Sequence, residues 1–195
     1  MFGYLLGATN TQSEIIPYAR YLLKNDANDS IGDKDGAIVG GNITFDGTQA
    51  TFDGNSIIQT QLALNIYTYS FNFKFTLFST SGYTFLTDST TRVVIAVYEN
   101  NLLLFNNGFI TIDTNVIDIN TEYNIVAVFD GDQSTINLNG TTYINTIIPT
   151  QLASFFLMGG EKSNTAGLAL DGTMRNFNVY DRALTESEIN ILANQ

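Results

Sequence analysis

Side chains that gain and lose protons near neutral pH are scarce in this chain. Histidine and cysteine are both absent, which removes the usual general bases and the thiol nucleophile. What remains is acidic, with nineteen Asp and Glu against eight Lys and Arg. The glutamates are Glu14, Glu99, Glu122, Glu161, Glu186 and Glu188. Cleaving a glycosidic bond with retention needs two carboxyl groups about 5 Å apart across the substrate. Only Glu186 and Glu188 are close in sequence, and two positions apart on a helix they do not face each other. The residues therefore predict a protein that is not an enzyme.

A second acidic group is Asp26, Asp29, Asp33 and Asp35, crowded into one stretch. Ca²⁺ prefers such oxygen ligands, but the spacing is not that of an EF-hand, because Thr44 stands twelfth from Asp33 where an acid is required. Asp and Gly are also what tight turns need. The stretch is read first as a turn loop, with weak Ca²⁺ binding through Asp29, Asp33 and Asp35 as the alternative. Ligand contacts are expected instead from residues 79–83, 88–92 and 161–164. There Tyr83, Asp88, Arg92, Lys162 and Asn164 combine one ring with hydrogen-bonding groups suited to a sugar. The same composition describes any exposed loop.

Positioning these groups falls to 195 residues, a length that suits one domain able to bury most of its unfolded surface without staples. A net charge of -11 repels phosphate backbones and anionic membranes, so nucleic acid is not an expected partner. No apolar run is long enough to cross a membrane as a helix, and insertion is not expected. The start, Met1 to Thr9, lacks a basic region and reads poorly as an export signal. Asn28, Asn42 and Asn139 open glycosylation sequons, read as chance in a chain rich in Asn and Thr.

Apolar residues recur with a period of two over 50–52, 67–78, 92–98, 102–105, 109–112, 123–129, 135–138, 142–147 and 155–158, each short and rich in β-branched and aromatic types. Within 67–78, Tyr69, Phe71, Phe73 and Phe75 share one face, predicted to be core, and Ser70, Asn72 and Lys74 share the other, predicted to be wet. Glu99-Asn100-Asn101, Asn106-Asn107-Gly108, Asp130-Gly131 and Asn139-Gly140 are hairpin signals, the last two suited to type I′ turns. Near the end, Thr185 and Glu188 form a capping box, Leu184 can staple against Ile189, and Ile189, Leu192 and Ala193 share a face. Residues 1–16 fit the pattern poorly and are predicted to be an extension that mediates attachment or self-association, with the domain proper at 17–195.

The ending, from Asp171-Gly172-Thr173 through Tyr180-Asp181-Arg182-Ala183-Leu184 to Glu188-Ile189, resembles laminin G-like domains of the concanavalin A-like lectin/glucanase superfamily. So do Asp29 to Gly36, Phe45-Asp46-Gly47 with Phe52-Asp53-Gly54, Tyr67 to Phe71, and Tyr123 to Gly131 followed by Ile136 to Gly140. Asn72 and Tyr123 depart from the resemblance, standing where such domains often carry Trp. The resemblance implies an all-β antiparallel sandwich of jelly-roll type with a short C-terminal helix. Many such domains carry Ca²⁺, and related glucanases supply their carboxylates as Glu-x-Asp-x-Glu, which is not present here. The function expected is a non-catalytic, surface-displayed binding or structural module. Its predicted setting is the surface of a virion, as a phage capsid-decorating or fibre protein bound to a capsid or tail partner. The alternative is a carbohydrate-binding lectin domain of a secreted or cell-surface bacterial protein, with a glycan or cell-surface receptor as partner. A glycoside hydrolase with an unrecognised site is the third reading. A homo-oligomer is compatible with each.

Overall fold

The computed structural model describes residues 14–62, 64, 68–80, 83–89, 94–105, 109–146, 156–160 and 168–195. Its strands are β1 (Ala19–Tyr21), β2 (Ala37–Gly40), β3 (Ile43–Phe45), β4 (Ala50–Asp53), β5 (Ser56–Gln59), β6 (Thr68–Leu77), β7 (Tyr83–Ser89) and β8 (Val94–Tyr98). They continue with β9 (Asn101–Phe105), β10 (Phe109–Asp113), β11 (Glu122–Asp130), β12 (Gln133–Leu138), β13 (Thr141–Thr146), β14 (Phe156–Met158) and β15 (Asp171–Tyr180). One helix, α1 (Glu186–Ala193), follows.

Two antiparallel sheets face each other. The first runs β13-β12-β11-β6-β15-β4-β3, with β1 also paired to β15; the second runs β10-β9-β8-β7-β14-β5-β2. The long strands β6, β11 and β15 form the middle of the first sheet because they carry the cleanest alternation. From β6, Phe71, Phe73 and Phe75 point inward with Phe129 of β11 and Phe177 of β15. Phe73 and Phe177 stack with ring centroids 5.0 Å apart, and Tyr69 lies 4.7 Å from Phe129. The second sheet answers with Leu86, Ile95, Val97, Leu102 and Leu104. Each such side chain contributes roughly 1.5–3 kcal/mol on burial, so this shared layer carries most of the fold's stability.

The turns follow from local chemistry. Glu99 and Asn100, and likewise Asn139 and Gly140, sit at positive φ in two-residue hairpins, the type I′ signature. At 130–133 the hairpin closes one residue later than the sequence predicts. Asp130 pairs with Gln133, leaving Gly131 at φ +64° as the first turn residue. Glycine at that position alone gives the type II′ form.

Helix α1 begins as expected. Thr185 Oγ1 accepts from the Glu188 backbone N–H, Glu188 returns an acceptor to the Thr185 N–H at 2.8 Å, and Leu184 is buried beside Ile189. The helix lies on the outer face of the first sheet, where Leu184, Ile189 and Leu192 cover Val126, Val128 and Tyr180. That corrects one expectation. The outward face of β6 is not wet along its length, since Ser70 is fully buried and Asn72 is 7% exposed. The Ser70 hydroxyl donates to the Arg182 carbonyl and accepts from the Leu184 N–H, tying the corner before the helix onto the sheet.

A second correction concerns residues 83–89, of which Tyr83, Asp88 and Ser89 read from the sequence as loop and 84–87 carry no predicted strand. They form β7, paired with β8 on one side and β14 on the other, because Tyr83-Thr84-Phe85-Leu86-Thr87 is a run of aromatic and β-branched residues. Strands β2 and β5 also carry no strict alternation and emerge from pairing, β2 with β5 and β5 with β14 as well. Of the expected extension, residues 1–13 lie outside the described residues, and Ile15 packs against the apolar cluster under α1.

Candidate functional site

The outward face of the first sheet carries two polar rows, fixed by strand register. In one, Arg20 of β1 opposes Asn178 of β15, which opposes Asn72 of β6. In the other, Arg175 of β15 opposes Lys74 of β6, which opposes Asn124 of β11. Between them β15 bulges, with two residues opposite Phe73. Asn176 takes φ +53° there, a conformation asparagine tolerates better than most residues. The bulge lets Phe177 stay in the core while Arg175, Asn176 and Asn178 all face outward.

Over these rows opens a cavity of about 530 Å³. Its walls are the Glu14–Ile15 segment on one side and the last turn of α1, with Leu192 and Gln195, on the other. The floor is a hydrogen-bonded relay. Arg20 Nε donates to Asn178 Oδ1 at 3.1 Å, Asn178 Nδ2 donates to Asn72 Oδ1 at 3.2 Å, and the Tyr180 hydroxyl donates to the same oxygen at 3.2 Å. Burial pushes the Tyr180 phenol up to about 12, so it stays a donor at neutral pH. Lys74 Nζ reaches the Gln195 carbonyl at 3.0 Å, and Asn124 Nδ2 reaches the Leu192 carbonyl at 2.7 Å. Asn124 Oδ1 is buried without a protein partner.

Beside the cavity, Arg175 grips Glu122 through two hydrogen bonds of 2.8 and 2.6 Å. Hydrogen bonding to the Arg175 guanidinium holds the Glu122 carboxyl below the usual glutamate range. A general acid needs the opposite shift. The cavity presents amide, hydroxyl and guanidinium groups, which suit hydrogen bonding rather than acid–base chemistry.

The expected site residues divide differently. The backbones of Tyr83 and Asp88 lie in β7, opposite Tyr98 and Leu157, and their side chains are outside the described residues. Arg92, Lys162 and Asn164 lie outside the described residues altogether. Of the acidic loop, Asp35 Oδ1 accepts from the Asp29 N–H at 2.9 Å, while Asp29 Oδ1 accepts from the Arg20 and Ile31 N–H groups at 3.0 and 3.2 Å. Asp33 is 98% exposed and faces Lys34 at 3.6 Å. Asp29 and Asp35 cap backbone donors, and among the described residues no group of three acids converges to hold a metal ion. Asp29 Oδ2 is buried and unpartnered, but one lone oxygen does not supply the six to eight that Ca²⁺ takes.

None of the cavity residues was singled out from the sequence as a site. The available signal was the pair Asn72 and Lys74, outward-facing in a strand otherwise packed with aromatics, together with Arg175-Asn176-Phe177-Asn178, where two polar residues in succession break the alternation.

With the sandwich, its helix and its register described, residues 46–190 match the Laminin_G_3 family, the concanavalin A-like lectin/glucanases superfamily. The chain belongs to this family. No curated protein sequence matches it. Among solved structures, domain 4 of AbnA, a GH43 extracellular arabinanase from Geobacillus stearothermophilus solved with arabinotriose, is similar with a TM-score of 0.70 and 18% identity, over 90% of this chain and 97% of that one. Trypanosoma rangeli sialidase in complex with sialic acid is similar with a TM-score of 0.73 and 16% identity over 90% of this chain, which spans only 32% of the sialidase. A heptameric pentraxin from Limulus polyphemus gives 0.59 and 13%, over 70% of this chain and 75% of that one. These likenesses share the laminin G-like sandwich. No helix among the described residues is long and apolar enough to cross a membrane.

Proposed function

We propose that this laminin G-like domain is a non-catalytic glycan-binding module whose saccharide sits in the cavity between β15, β6 and the end of α1. One observation carries the reading. Asn72 is more than nine-tenths buried, lines the cavity, and uses its Oδ1 twice while no described residue accepts from its Nδ2. A buried amide with a spare donor is what orients a sugar hydroxyl. The solved relatives lend support, since one is a domain of an arabinanase bound to arabinotriose and another is a sialidase bound to sialic acid. Against hydrolysis stands Glu122, the partner of the cavity-lining Arg175, which holds it ionised. Display on a virion draws no support from the fold or from the relatives, and glycan binding stands without it.

A glycan array with the whole chain should give discrete saccharide hits that Asn72→Ala abolishes while the melting temperature shows a folded sandwich. A panel of chromogenic glycosides should show no turnover. Hits that survive Asn72→Ala would move the site elsewhere, and turnover would make the chain a hydrolase.

A further inference from the structure

We infer that the saccharide held in this cavity is acidic, a sugar bearing a single carboxylate, recognised by Arg20 and Lys74. The inference rests on the glycan-binding reading and adds the ligand's charge. Across the whole chain acids outnumber bases and the net charge is -11. The cavity reverses this balance, since Arg20, Lys74 and Arg175 line it with Glu14 as their acidic counterpart. Arg175 is neutralised by Glu122. Lys74 donates to the Gln195 main-chain oxygen at 3.0 Å, so Arg20 is the lining cation whose terminal nitrogens meet no acid among the described residues, and one such guanidinium suits a monoanion such as a carboxylate better than a phosphate dianion.

Geometry agrees with the charge count. Arg20 spends its Nε on Asn178 Oδ1 at 3.1 Å, and no acid among the described residues pairs with its terminal nitrogens. An arginine fixed through Nε presents those two nitrogens as a planar fork, the shape that meets a carboxylate with paired hydrogen bonds. Its backbone N–H is tied separately to Asp29 Oδ1 at 3.0 Å, so the strand that carries Arg20 is anchored independently of its side chain. Next in the row, Asn72 has its spare Nδ2 donor for a neighbouring hydroxyl, and the Asn176 side chain faces the same space from the bulge. Carboxylate and hydroxyl recognition therefore lie side by side.

The test compares an aldobiouronic acid, one uronic acid linked to one neutral sugar, with its methyl ester, which removes the charge and adds one methyl group. Calorimetry on the whole chain should show the ester binding about tenfold more weakly or worse, as expected when a charge-assisted pair is lost. Arg20→Gln keeps a donor toward Asn178 and should abolish the difference, and Lys74→Gln should reduce it. Each variant's melting temperature reports whether it is folded. Equal affinity for acid and ester, or array hits confined to neutral glycans, overturns the acidic preference while leaving glycan binding intact. A preference for the acid that neither variant alters also overturns the assignment, because the acid then binds elsewhere. A blank array, with neither acid nor ester bound, overturns glycan binding and this inference together.

Discussion

Single positions in this domain are constrained for different physical reasons, and its glycines show the contrast. Gly172 lies where β15 passes β6, and a Cβ built there falls 2.0 Å from the Thr76 carbonyl oxygen and 3.1 Å from the Leu77 Cα. Both neighbours are backbone in the central strand pair, so neither can swing aside. Gly47, at φ +90°, has nothing within 4 Å of such an atom, and only its backbone conformation resists substitution. Gly172→Ala should therefore cost about 3 kcal/mol, in the upper range of overpacking, and Gly47→Ala about 1 kcal/mol. Urea unfolding of the two variants measures both, and equal losses would mean that β15 and β6 can separate to admit a methyl group.

At the scale of one element, α1 is held by a charge cluster at its start. Arg182 makes two hydrogen bonds to Glu188, at 2.8 and 2.5 Å, and Glu188 also accepts from the Thr185 N–H. A cap of this kind is worth about 1 kcal/mol. The Arg182 hydrogen bonds, ahead of the Thr185 contacts, lower the Glu188 pKa from 4.5 to about 2. Because the folded value lies below the unfolded one, this stabilisation is fully present above pH 4.5 and is lost as the pH falls toward 2. Melting temperatures recorded through that window should fall more steeply for the native chain than for Glu188→Gln. Parallel curves would show that the pair adds nothing to folding. Since α1 forms one wall of the cavity, ligand binding should weaken over the same range.

For the whole molecule, the described core begins at Ile15, and the Tyr18 N–H donates to the Val179 carbonyl at 2.7 Å just before β1 joins the sheet. A chain starting at Glu14 should keep the melting temperature of the full chain. Removing residues through Tyr21 should unfold the domain, since Ala19 and Tyr21 are fully buried. Light scattering on the shorter truncation tests the attachment role read from residues 1–16. Loss of an oligomer with the fold intact supports that role, and an unchanged monomer removes it.

Sequence by itself determined the elements whose chemistry is local. The alternation of Phe71, Phe73 and Phe75, the Asn139-Gly140 turn and the box of Thr185 with Glu188 each depend on neighbours a few residues away, so period and turn type were legible, and with them the sandwich. Strand β7 was missed because its polar flanks looked like loops, and two neighbouring strands supply the pairing that keeps it in the sheet. The cavity was invisible for a stronger reason. Arg20 and Asn178 meet across 158 positions, and Asn72 and Asn178 across 106, brought together only by register and by the bulge in β15. Its walls come from residues far apart in sequence, Glu14 and Gln195, which no local pattern relates. Tertiary structure alone turned scattered Asn, Arg and Lys residues into the lining of one cavity, because strand pairing sets which distant side chains share a face.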